Sequence, residues 1–130
     1  MILDTCVLIA AERGRLELGT LQARNDDVCI AGITAAELLT GVELADGARR
    51  DARQEFVEGI LAVVPVEEYG LDVARAHARL LAQVRRSGQP RGAHDLIVAA
   101  TAVATDRSVM TLDVNAQFAE LSGVRTLAIG

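Results

Sequence analysis

Lysine and tryptophan are absent from this chain, and its aromatic side chains come down to Tyr69, Phe56 and Phe118. With aromatic platforms so scarce, holding single-stranded nucleic acid by base stacking is disfavoured, and the core must be built from Leu, Val, Ile and Ala. Positive charge is also scarce: 13 arginines face 18 acidic residues, a net charge of −5 that excludes binding nucleic acid through an overall basic field. Cysteine occurs twice, at Cys6 and Cys29. Each lies in an apolar stretch, and their spacing suits neither a zinc site nor a redox dithiol, so both read as buried thiols. No apolar run approaches the ~18 residues of a membrane span, and no basic leader precedes the first strand-like run, so a soluble, cytoplasmic chain is expected.

The rest is a globular balance, with 51% hydrophobic and 24% charged residues, and 130 residues suit one domain spanning 1–130. Met1-Ile2-Leu3 reads as a short buried strand, followed by a helix that Gly14 ends and a second helical pattern from Leu16 to Arg24. Val28 to Ile33 is the next strand. Thr34-Ala35-Ala36-Glu37 then has the spacing of a capping box opening a helix. Helices are predicted from Ala48 to Ala62 and from Glu67 to Arg86. Pro65 cannot donate to a central ladder, which puts the run Val63 to Val66 at a sheet edge. After the loop from Ser87 to Gly92 come a helix from His94 to Thr105, a strand from Ser108 to Leu112, a short helix from Asn115 to Leu121, and a strand from Val124 to Ile129. Continuously apolar strands alternating with helices predict an α/β fold whose parallel sheet is covered on both faces, with ligands bound beyond the carboxyl ends of the strands.

Four acids fall on that rim. Asp4 follows the first strand, Glu37 lies in the first turn after the second, Asp95 opens a helix, and Asp113 follows the strand ending near Thr111. Each has an ordinary explanation. Glu37 can complete a capping box, Asp95 can answer a helix dipole, and Asp113 can make a turn. Asp4, between a buried strand and the apolar run after Cys6, is the hardest to explain without a bound polar partner. Carboxylates brought together repel one another unless a cation intervenes, and all-oxygen donors favour Mg²⁺ or Mn²⁺ over zinc. Such an ion can activate water and stabilise charge on a phosphate, which is phosphodiester hydrolysis chemistry.

The segments Leu3-Asp4-Thr5-Cys6-Val7-Leu8-Ile9, Ile33-Thr34-Ala35-Ala36-Glu37, His94-Asp95-Leu96-Ile97-Val98-Ala99-Ala100 and Val109-Met110-Thr111-Leu112-Asp113, in this order, carry a family likeness. Over essentially its whole length the sequence resembles PIN-domain toxins of the VapC type, the ribonuclease half of bacterial toxin–antitoxin pairs. The resemblance implies a three-layer α/β/α sandwich with a central five-stranded parallel sheet whose third strand lies at an edge. It makes Asp4, Glu37, Asp95 and Asp113 the metal-binding catalytic acids and Thr5 a supporting hydroxyl. It also implies an Mg²⁺-dependent endoribonuclease that leaves a 5′-phosphate, with Mn²⁺ as substitute, acting on RNA, forming a homodimer and meeting a VapB-type antitoxin. Cys6 stands where the family often has a polar residue, and Asp113 where many members have asparagine.

Arg13 and Arg91 lie near enough to the rim to orient an RNA backbone. His77 reads as a surface or packing residue, and His94, beside Asp95, as one that touches substrate without catalysing. Other classes compete. A receiver-like Mg²⁺ module needs a lysine, and there is none. A phosphatase of the haloacid dehalogenase type needs a second aspartate where Cys6 stands. A non-catalytic PIN-fold binding module would have no use for four acids.

Overall fold

Along three of the strands neighbouring residues feed opposite cores, and this alternation organises the molecule. A computed structural model describes residues 1–24, 27–112 and 117–128. In chain order these form β1 (Ile2–Leu3), α1 (Thr5–Glu12), α2 (Leu18–Arg24), β2 (Ile30–Ala31), α3 (Gly32–Leu44), α4 (Gly47–Val63), β3 (Val66–Glu67), α5 (Leu71–Ser87), α6 (Ala93–Ala104), β4 (Val109–Thr111), a 3-10 turn Gln117–Glu120, and β5 (Thr126–Ala128). Ile2, Cys29, Ala31 and Val109 pack against α5 and α6 in one core. Leu3, Ile30 and Met110 pack against α1, α3 and α4 in the other. The period of two along a strand thus places helices on both faces, as an apolar parallel sheet requires.

Every ladder is parallel. β4 lies between β1 and β5, and β2 pairs with β3. The implied five-stranded sheet is therefore divided, among the described residues, into a three-stranded and a two-stranded one. The reason is strand length: with two residues each, β1 and β2 meet through a single bridge between Ile2 and Cys29. Around it, the Leu3 N–H donates to the Cys29 carbonyl at 2.9 Å and the Cys29 N–H to that of Met1 at 3.0 Å. β3 does lie at the end of its ladder, as Pro65 requires; the Pro65 carbonyl still accepts from the Ile30 N–H at 3.0 Å.

Several predicted boundaries move: Val63 closes α4 and Val64, whose N–H donates to the Ile60 carbonyl, caps it, so the strand expected from Val63 begins at Val66. Glu67 belongs to β3, and α5 starts at Leu71, carries Asp72 in its first turn and Arg85 and Arg86 in its last, and ends on Gly88 at φ +69°, the left-handed cap that glycine adopts without strain. More consequential for the site, β2 hands over to α3 with no intervening loop, so α3 starts at Gly32 with Ala31 as its N-cap. Thr34 is thereby inside the helix and fully buried, its hydroxyl without a hydrogen-bond partner, and the expected capping box of Thr34 and Glu37 does not form. Of the helix predicted from Asn115 to Leu121, Asn115 and Ala116 lie outside the described residues and Gln117–Glu120 forms the 3-10 turn.

Candidate active site

Asp4 leaves β1 and caps α1. Its N–H continues the ladder, donating to the Met110 carbonyl at 2.9 Å, which fixes the residue at the carboxyl end of the strands. Three donors then fix its carboxylate: the Thr5 N–H donates to Oδ1 at 2.9 Å, and the Cys6 thiol and Thr111 hydroxyl donate to Oδ2 at 3.4 and 3.3 Å. The Cys6 sulfur is also 3.6 Å from the Thr111 hydroxyl. Cys6 is thus a half-buried group of the site and not the core thiol expected; Cys29 is the buried one. Burial is the largest influence on the Cys6 thiol and pushes its pKa up.

Asp95 enters in the first turn of α6. Its pKa is raised, first by burial and then by the charge of Asp4, with the neighbouring His94 acting in the opposite direction. Asp4 and Asp95 therefore share one electrostatic environment, brought together by a strand end and a helix start far apart in sequence. Among the described residues neither has an arginine partner.

Glu37 stands in the second turn of α3 and is joined to this neighbourhood through His94, whose Nδ1 lies 3.3 Å from Glu37 Oε1. Among the described residues no three His, Cys, Asp or Glu side chains are gathered closely enough to cage a metal ion. Asp113, the fourth predicted acid, lies outside the described residues. Thr5 serves Asp4 through its backbone N–H, where a supporting hydroxyl was expected. Its side chain lines, with Glu37, Arg13, Arg53, Ile9 and Leu38, a groove of about 300 Å³ beside the acids.

The two arginines expected near the site differ. Arg13 is exposed on the rim of that groove. Arg91 is largely buried and committed to an ion pair with Glu120, so its guanidinium ties the loop before α6 to the 3-10 turn. His77 receives no role here; its Nδ1 lies 2.8 Å from the Tyr69 hydroxyl, with the rings edge to face. What sequence reasoning missed is the pair of hydroxyl and thiol groups on Asp4. Thr111 had a signal, a polar residue ending an apolar strand on the predicted rim.

The chemistry of the donors fits a small hard cation. Mg²⁺ is commonly held by one or two carboxylates together with substrate phosphates, so a coupled pair such as Asp4 and Asp95 suffices without a closed protein cage. A dication held by these acids would also offset the Asp4 charge that, after burial, raises the Asp95 pKa.

The PIN-domain family model matches residues 1–123 of this parallel α/β chain. The chain belongs to the PIN-domain family. Within it, the sequence is similar to the VapC ribonucleases: it is 37% identical to one from Sinorhizobium fredii, covering 87% of this chain and 86% of the relative. It is 34% identical to Ribonuclease VapC5 of Mycobacterium tuberculosis, covering 98% and 92%. In three dimensions it is similar to a chain of the DNA-bound VapBC structure from Salmonella typhimurium, with a TM-score of 0.88, 26% identity, and 98% and 96% of the two chains covered.

Proposed function

We propose that this protein is an Mg²⁺-dependent endoribonuclease, the toxin of a toxin–antitoxin pair, working in the cytoplasm with a VapB-type antitoxin as partner and assembling as a homodimer. The observation that carries the reading is the placing of Asp4 at the end of β1 and Asp95 in the first turn of α6 in one electrostatic environment, where burial and then the Asp4 charge raise the Asp95 pKa and, among the described residues, neither acid has an arginine partner. Likeness to VapC ribonucleases over nearly the whole chain supports the activity, and likeness to VapBC structures supports the partner.

In this reading Asp4 and Asp95 hold the ion, with Glu37 and Asp113 completing its surroundings. When bound, a divalent ion there supplies a nucleophilic water at neutral pH and charge stabilisation on the scissile phosphate. The protein's own contribution is orientation. Thr5, Cys6 and Thr111 hold the Asp4 carboxylate in one direction, α6 presents Asp95 on a rigid first turn, and His94, the residue before Asp95, lies 3.3 Å from the Glu37 carboxylate. Arg13, exposed beside Thr5 and Glu37, is placed to meet the RNA backbone on the groove side.

One observation favours a second reading, a PIN-fold binding module without catalysis: the described acids do not close into a three-ligand cage. A single experiment separates the two. Purified protein is incubated with a mixed RNA pool with Mg²⁺, with chelator, and as Asp95→Asn. The nuclease reading expects cleavage with Mg²⁺ and none in the other arms; binding without cleavage under all conditions supports the module, and cleavage that survives both chelator and Asp95→Asn contradicts the metal site.

A further inference from the structure

Gly92 is the N-cap of α6 with φ −59° and ψ 135°, backbone angles that any residue adopts, so the turn itself does not demand glycine there. Its surroundings do. A Cβ built on residue 92 would lie 3.0 Å from Asp95 Oδ2, 3.5 Å from its Cγ and 3.9 Å from its Cβ, so the Asp95 carboxylate occupies the space a side chain at 92 would fill. N-cap and third helical residue commonly meet in this way across the first turn.

We propose that Gly92 is a positioning residue for Asp95: the bare α-carbon keeps open the place the Asp95 carboxylate needs in order to hold a divalent cation. The inference rests on the metal-site reading above. The helix cannot yield in place of the carboxylate, because the Leu96 N–H donates to the Gly92 carbonyl at 3.1 Å and Leu96, Val98, Ala99 and Ala100 are buried against the core. The free end of Asp95 can yield, at little cost in stability and at a cost in direction. Mg²⁺ demands near-octahedral ligands at about 2.0–2.1 Å, so a shift of a few tenths of an ångström matters to it, whereas Ca²⁺ accepts looser geometry.

This separates positioning from folding. An N-cap role alone predicts a changed melting temperature and unchanged metal binding. The two backbone effects of Gly92→Ala oppose each other, since alanine restricts the unfolded chain but caps less well than glycine, while Gly92→Ser introduces a preferred cap together with the intrusive Cβ. Mn²⁺ binding to the purified chain, without RNA, is measured by titration calorimetry for the parent, Gly92→Ala, Gly92→Ser and Asp95→Asn, with Ca²⁺ as a second probe and melting temperatures in parallel. Expected are about tenfold weaker Mn²⁺ binding in both Gly92 variants, a smaller loss for Ca²⁺, and melting within about 3 °C of the parent, Gly92→Ser at or above it. Parent-like Mn²⁺ binding in both Gly92 variants while Asp95→Asn loses it overturns the positioning role and leaves the metal site standing. Parent-like binding in Asp95→Asn overturns the metal-site reading and this inference with it.

Discussion

The two ends of the strands treat their acids in opposite ways. On the amino-terminal side, where Asp27 precedes β2 and Arg107 precedes β4, the Arg107 guanidinium donates to both oxygens of Asp27 at 2.8–2.9 Å, and also to Glu67, the last residue of β3, at 2.8 Å. Its hydrogen bonds hold the Asp27 carboxyl below its ordinary pKa, and the pairing raises that of Arg107. At the carboxyl end Asp4 and Asp95 have no such partner among the described residues, and burial, followed by the Asp4 charge, raises the Asp95 pKa. One cluster is neutralised by an arginine and joins three segments; the other has no arginine beside it among the described residues. That difference, more than the count of acids, separates a structural cluster from a functional one.

The largest effect should come from the unneutralised end. Asp95→Asn or Asp4→Asn is expected to lower RNA cleavage at least about 100-fold in a gel assay, a loss typical of removing groups that act directly on developing charge, while the melting temperature holds or rises because the mutual repulsion is gone. The opposite profile is expected for Arg107→Met. It strands Asp27 and Glu67 and should cost about 1–2 kcal/mol after allowance for their solvent exposure, seen as melting roughly 5 °C lower, with the cleavage rate of the folded protein retained.

Acid should act on the same pair. Because the folded-state pKa of Asp27 lies below its unfolded value near 3.9, its contribution is present above that value and fades as pH falls through the lower, folded one. The urea midpoint should therefore drop between about pH 5 and pH 3, by less in Arg107→Met than in the parent. The smallest effect concerns the orientation of Asp4. Cys6→Ala removes one of its three donors and should slow cleavage about fivefold, the worth of one hydrogen bond, whereas Cys6→Ser, which keeps a donor, should stay within about twofold of the parent. Equal loss in both variants would point to packing as the role of Cys6.

The alternation of apolar strands with helices was sufficient to predict the α/β class, the parallel pairing and the edge position of β3, because each depends on local pattern and on Pro65. The start of α3 was not legible. Thr34 and Glu37 have the spacing of a capping box, but β2 and β3 pair only through Ile30 and Ala31, and the helix starts as soon as that pairing ends. Asp4 could be singled out because a charge directly after a buried strand conflicts with its surroundings. Its meeting with Asp95 depends on how α6 docks, and the place of Cys6 on how α1 leaves β1; neither is encoded in local periodicity. Nor does the arginine pattern distinguish Arg91, committed to Glu120, from the exposed Arg13.

The difference between the two ends can be measured without RNA. Melting temperatures of the parent, Asp4→Asn, Asp95→Asn and Arg107→Met are compared with and without about 10 mM Mg²⁺, since a ligand that binds the folded state raises its stability. A rise of several degrees in the parent and in Arg107→Met, and none in Asp4→Asn or Asp95→Asn, is the expected result. An equal rise in all four proteins, or none in the parent, would contradict a cation site at Asp4 and Asp95.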